Sequence, residues 1–211
     1  MTQQDQQCAK KRTRLSAEER REQILRAARA HFAEHGYRCT DVQDIADGID
    51  VGKGTIYRHF PTKEGLFLAS VEGAVEVLKS YATSSVEALD DPLKKIRAVT
   101  HVSLQFFDDH PEVVELFIQE RAEFKDRDMP MYFVRAERDR PEWNVLFDQL
   151  KEQGRMRAMD SAGVSQILAD TLYGTVLAHR MTGATDSLVE RADTVVDFML
   201  HGILVPGQNS A

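Results

Sequence analysis

Apolar residues recur along this chain at three- and four-residue intervals, and the two-residue alternation that marks strands is scarce, so the pattern predicts an all-α fold. Ser16 followed by Glu19 matches a capping box. Ile24, Leu25, Ala28 and Phe32 then keep helical spacing until Gly36, which is expected to end the first helix. Thr40 with Gln43 repeats the capping-box signal. The helix it opens, from about Asp41, places Val42, Ile45 and Ala46 on one face and is expected to end on a left-handed Gly48. A second short helix starts near Gly52 or Lys53, with Ile56 and Phe60 packed inward and Lys53, Thr55, Tyr57, Arg58 and His59 on its other faces. Two short helices across a tight turn form a helix-turn-helix.

Pro61, Thr62 and Lys63 close that helix and cap the next, expected to run from about Lys63 into the eighties because no breaker precedes Asp90, Asp91 and Pro92. Asp91 as cap and Pro92 at a first helical position start another, carrying Ile96, Val99, Val102 or Ser103, Phe106 and Phe107 to a break at His110 and Pro111. A further helix reaches about Phe124 through Val113, Val114, Leu116, Phe117 and Glu120. Residues 125–140, where charges flank an apolar stretch and a proline stands at 130, predict a loop and a short helix. A helix from about Pro141 through Trp143, Leu146, Phe147 and Leu150 is expected to end at Gly154, with a connection after it. The last two helices are expected from about Ala162 to Thr182 and from about Leu188 to Leu204.

The side chains around the second short helix suggest nucleic acid. A recognition helix offers its N-terminal side chains to base edges while flanking residues hold phosphates and fix the register. Lys53 is the candidate for a guanine edge, with Thr55 and Arg58 as further donors, and Gly54 allows close backbone approach. Tyr57, His59 and Lys63 suit a row of phosphate oxygens, and Thr40, at a helix N-terminus, adds a hydroxyl and free amides for another. The string IADGIDVGKGTIYRHFPTKEGLF, residues 45–67, resembles the DNA-binding signature of the TetR family of bacterial one-component transcription regulators. Asp50 departs from that signature, which favours small residues there. The motif covers about the first third of the chain; the remainder resembles the family only in length and helical character. The resemblance implies an N-terminal three-helix DNA-binding module and a C-terminal helical domain that binds an inducer and dimerises.

Charge divides the same way. Residues 1–67 hold 12 Lys and Arg against 10 Asp and Glu, and residues 68–211 hold 15 against 24, so the net −7 splits into +2 and −9. The first part tolerates phosphates and the second repels them. The expected organisation is a basic segment over 1–15, a DNA-binding domain over 16–67 and a sensing and dimerisation domain over 68–211. Lys10, Lys11, Arg12 and Arg14 in the first segment fit either a solvated tail or an arm that reaches DNA. Two cysteines without spacing logic, Cys8 and Cys39, argue for a reducing cytosol. With no apolar run long enough to span a bilayer and no signal-peptide pattern, a cytoplasmic protein without membrane partners is expected.

Enzymatic motifs are missing. Gly52 to Thr55 resembles part of a phosphate loop, but Asp47 stands where its first glycine belongs and Gly54 where its Ser or Thr belongs. Scattered histidines without cysteine partners support no metal, and no nucleophile motif occurs, so neither cofactor nor catalysis is expected. His101, Phe106, Phe107, Phe117, Trp143, Phe147 and Tyr173 are candidates to line an apolar inducer pocket, against the default that such residues form core. Thr171, Gly174, Thr175 and Ala178 on the penultimate helix, with Val195, Met199 and Ile203 on the last, are candidates for a homodimer interface. The resulting expectation is a regulator, most simply a repressor, that binds double-stranded palindromic DNA as a dimer and is released by a small hydrophobic inducer. Its rivals are a DNA-bound adaptor of the same fold that binds a protein and has no enclosed pocket, and a helical enzyme or carrier.

Overall fold

A computed structural model describes residues 15–206, so the basic segment expected over 1–15 lies, except for Leu15, outside the described residues. The first helix, α1, spans Ala17–Cys39. Its capping box is formed as expected: Glu19 N–H donates to Ser16 Oγ at 3.1 Å and Ser16 N–H to Glu19 Oε2 at 2.8 Å. Gly36 bends this helix instead of ending it. Its φ of 80° leaves the helical path, and the turn resumes to Cys39.

The next cap falls one residue later than the sequence suggests. α2, Val42–Gly48, is capped by Asp41, whose Oδ1 accepts from Gln43 N–H at 2.8 Å, while the Gln43 side chain turns forward to Asp47. Thr40 instead closes α1, its hydroxyl donating to the Gly36 carbonyl at 2.8 Å. The left-handed residue of the turn is Asp50, at φ 54°, and Gly48 stays helical; aspartate tolerates that conformation better than most residues with a Cβ. α3 follows over Lys53–His59, anchored by fully buried Ile56 and by Phe60 just after it.

Thr62 then caps α4, Lys63–Val86, and Asp91 caps α5, Pro92–Asp109. The boundary expected at 67/68 falls inside α4, which runs through it unbroken. α6 spans Pro111–Glu123. The largest departure comes next. The expected loop is present over 124–130, but in place of a short helix and a new start at Pro141 one helix, α7, spans Met131–Glu152 with Pro141 inside it. Proline there removes one backbone donor, but Pro141 and Glu137, whose carbonyl is left without it, are both exposed to water. Ion pairs on the preceding turns hold the helix to α4: Arg135 and Arg138 with Glu76, and Lys79 with Asp139, which Arg135 also pairs within α7. α8, Ser161–Met181, and α9, Leu188–Ile203, match expectation closely. Asp108 of α5 accepts from the Leu188 and Val189 amides and fixes the start of α9.

Buried side chains form one cluster from Ile24 to Leu204, so the N-terminal helices share a core with the rest. The inward stripe of α9 is Leu188, Ala192, Val196, Leu200 and Ile203, not the expected line through Val195 and Met199, which lie at its edge. Ile203 is therefore core and is withdrawn from the interface candidates.

Candidate nucleic-acid interface and ligand cavity

α3 is short because Gly52 starts it without a side-chain cap and Phe60 leaves the helix with extended backbone before Pro61. Only Ile56 of its residues is buried; Gly54, Tyr57 and Arg58 are exposed, and Lys53, Thr55 and His59 are half-buried. Nothing lies within 4 Å of where a Cβ on Gly52 or Gly54 would sit, so this surface is open to close approach. Six of the expected DNA-contacting residues thus share one small exposed helix. Lys53 Nζ lies 2.7 Å from Asp41 Oδ1, a partner that the sequence pattern did not reveal. The Gln43 amide and then Lys53 hold the Asp41 carboxyl below its ordinary range, and Asp41 raises the Lys53 ammonium in turn.

The other two expected contacts are already engaged. Thr40 is 3% exposed and its hydroxyl is committed to Gly36, so it is not free for a phosphate. Lys63 donates to the Arg38 carbonyl at 3.2 Å and lies 4.8 Å above the Tyr37 ring, joining α4 to α1. That junction continues into α6. Tyr37, Phe67 and Phe124 meet edge to face and tilted at 4.9 to 5.4 Å, Arg38 Nε lies 2.7 Å from Glu123 Oε2, and Gln119 Nε2 donates to the Phe32 carbonyl at 2.9 Å.

A cavity of about 300 Å³ opens among α4, α5, α7 and α8. Leu78, Val99, Trp143, Leu146 and Leu172 are among its apolar walls, and Lys79, Lys95, Arg135, Asp139, Arg140 and Glu142 bring charge to its lining. Of the expected pocket residues only Trp143 borders it. Phe106, Phe107 and Phe117 are at most 4% exposed, with Phe107 edge to face against each of the other two, and Phe147 is 1% exposed: they are core. Tyr173 packs against Tyr132 and Phe133 at 4.9 and 4.7 Å. His101 lies on the seam of α5 and α9, with Nε2 2.9 Å from Asp193 Oδ1. Aromatic spacing marked burial, whereas the cavity lies where Ala82, Ala136 and Ala169 leave facing helices short of side-chain volume. Tyr132 borders both regions; its hydroxyl is 3.4 Å from the Ala169 carbonyl, and burial raises the phenol well above its ordinary value.

On α8, Gly174 and Ala178 are exposed and Thr171 and Thr175 half-buried, in line with Ile167 and Met181 at 60% and 73% exposure. On α9, Phe198 is 80% exposed. These three large apolar side chains were missed by a search for small residues, although helical period places them on the outward faces. Among the described residues, no cluster of His, Cys, Asp and Glu is placed to hold a metal, and no helix is long and apolar enough to cross a membrane.

Known proteins agree with this geometry. Residues 24–70 match the profile of the bacterial regulatory proteins of the tetR family. The HTH-type transcriptional repressor KstR2 of Mycobacterium tuberculosis is 28% identical over 166 residues, covering 78% of this chain and 83% of its own. A protein of Escherichia coli K12 named "Probable acrEF/envCD operon repressor" is 28% identical over 207 residues, 94% of this chain and 93% of its own. The solved structure of the ketosteroid transcriptional regulator KstR2 of Mycobacterium tuberculosis superposes with a TM-score of 0.67 at 26% identity, covering 90% of this chain and 97% of that one. Residues 24–70 thus carry a DNA-binding helix-turn-helix of the TetR family of transcription regulators, on an all-helical body similar in fold to that of the ketosteroid regulator.

Proposed function

We propose that the chain is a ligand-released repressor, binding a palindromic operator as a dimer and leaving it when a small apolar molecule fills the cavity. One observation carries this reading: α4 begins at Lys63, bonded to the DNA-binding helices, and from Val75 to Val86 it forms a wall of the cavity. An occupant that prefers one position of α4 thereby favours one placement of α3, and its effect is bounded by its difference in affinity for the two states. α6 offers a parallel route, since Glu120 accepts the N–H of Met131 at the start of α7 while its neighbours Gln119 and Glu123 hold α1.

In this reading Lys53, Gly54, Thr55, Tyr57, Arg58 and His59 face the major groove and its phosphates. Lys63 positions the module by tying α4 to α1. Residues through about 67 read DNA, residues from about 68 sense and dimerise, and α4 belongs to both. The dimer forms through Gly174, Ala178 and the neighbouring Ile167, Met181 and Phe198, with Thr171, Thr175, Val195 and Met199 at the margins. Both relatives named above are described as repressors, which favours repression over activation here. The cavity favours a small-molecule signal over the protein-binding adaptor, which has no use for one.

Trp143 borders the cavity and is the only tryptophan, so its emission reports occupancy. A panel of small apolar molecules is titrated while Trp143 emission and operator affinity are read together. Molecules that shift the emission are expected to weaken DNA binding over the same concentrations. Occupants that shift Trp143 and leave DNA affinity unchanged overturn the proposal.

A further inference from the structure

We infer that the cavity takes an amphipathic monoanion, with an apolar body of about ten non-hydrogen atoms and a carboxylate-like head at Lys95. The inference rests on reading this cavity as the inducer site.

The charges around the cavity are compensated with one exception. Lys79 lies 2.8 Å from Asp139, Arg135 is paired with Glu76 and Asp139, and Arg140 with Glu137. Lys95 borders the cavity, is half-buried, and among the described residues has no ion pair or side-chain hydrogen bond. Helix formation gives it no reason to be there, because a cation in the first turns of α5 opposes the helix dipole. An ammonium that loses water beside apolar walls without a counter-ion is costly, and a bound anion removes that cost.

The remaining free groups agree in sign. Ser103 is 8% exposed and lies on the same face of α5 as Lys95 and Val99; among the described residues neither its hydroxyl nor the Trp143 indole N–H has a partner. Both can donate to a ligand oxygen. A cationic ligand finds no equivalent, since both oxygens of Asp139 are taken by Lys79 and Arg135, and Glu142 is 72% exposed at the rim and shared with Lys79. Volume sets the size of the body, because 300 Å³ holds about ten groups the size of a water molecule.

Three probes with one apolar chain and different heads, octanoate, octanol and octylamine, separate the alternatives when titrated against Trp143 emission and melting temperature. Octanoate is expected to bind about tenfold more tightly than octanol, as a charge-assisted contact implies, and octylamine least tightly. Lys95→Gln should bring octanoate and octanol within about twofold, and Lys95→Glu should make octylamine the tightest of the three. Melting of the ligand-free variants shows that they are folded. Octanol binding as tightly as octanoate, or a preference for octanoate that survives Lys95→Gln, overturns the inference and leaves the inducer-site reading standing. If none of the probes moves either signal, the inducer-site reading falls and the inference with it.

Discussion

Asp41 has two partners at the edge of the proposed DNA-reading surface: it caps α2 and it neutralises Lys53. Asn caps a helix as well as Asp does, so Asp41→Asn should leave melting nearly unchanged while releasing the Lys53 ammonium. Removal of one negative charge beside the phosphates is expected to tighten binding to any duplex and to steepen the salt dependence by about one unit. Anisotropy titrations over a range of salt read both quantities, and weaker binding at low salt contradicts the arrangement. A second prediction concerns Glu120, 2% exposed, with Oε1 bonded to Met131 N–H and Oε2 without a partner among the described residues. Burial raises its pKa above the ordinary 4.5, against the opposing pull of the Met131 amide and Arg127. An acid whose folded pKa is raised contributes stability that is fully present below the unfolded value and is lost as pH rises through the folded one. Glu120→Gln, which keeps an acceptor for Met131, should therefore melt higher than the native chain at neutral pH, by about 2–4 °C per kcal/mol recovered, and the gap should close on acidification. A gap that is constant with pH contradicts it. Asp41 did not stand out in the sequence, because Thr40 offered the same cap one position earlier; Glu120 fell in line with the apolar positions of α6, but a glutamate on a helix reads as solvated until the fold covers it.

Helices that end in strong punctuation were legible and those interrupted by ambiguous punctuation were not. Asp91 with Pro92, and His110 with Pro111, bound α5 as expected, because proline at a first helical turn costs no hydrogen bond. Pro141 carries the same signal inside α7, where ion pairs to α4 on the preceding turns override it, an effect between helices that local sequence does not contain. Pro141→Ala should restore the missing donor to the Glu137 carbonyl and stabilise the chain on the order of 1 kcal/mol, a rise of about 2–4 °C in Tm. A fall in Tm on that substitution contradicts a continuous α7. α8 carries the next prediction. A side chain at Gly174 meets open space, so the alternative of a glycine buried within one chain is removed. Gly174→Glu and Phe198→Glu should each give a folded monomer in sedimentation with Tm lowered only by loss of the partner, and a dimer that survives both substitutions places the interface elsewhere.

At the scale of the whole molecule the parts depend on one another. The recognition surface rests on a core that continues into the cavity-bearing helices, so the motif that made residues 45–67 legible stands on packing that no motif records. The cavity itself was illegible for a related reason: sequence marks which side chains are large and apolar, and a void appears only where three small residues from different helices face one another. One short recognition helix reads few base pairs, and the charge split of +2 and −9 leaves only one end of each chain suited to DNA. Two copies on a palindrome meet both constraints. The most direct test is selection from a pool of random duplexes, followed by sedimentation of the purified complex and anisotropy with Lys53→Ala and Tyr57→Ala. The account predicts an enriched palindrome with half-sites about one helical turn apart, two chains per half-site pair at minimum, and loss of sequence preference in Lys53→Ala with a cost of ~1–3 kcal/mol. Failure to enrich any sequence, or a single chain binding the selected duplex at full affinity with Lys53 and Tyr57 both dispensable, would contradict it.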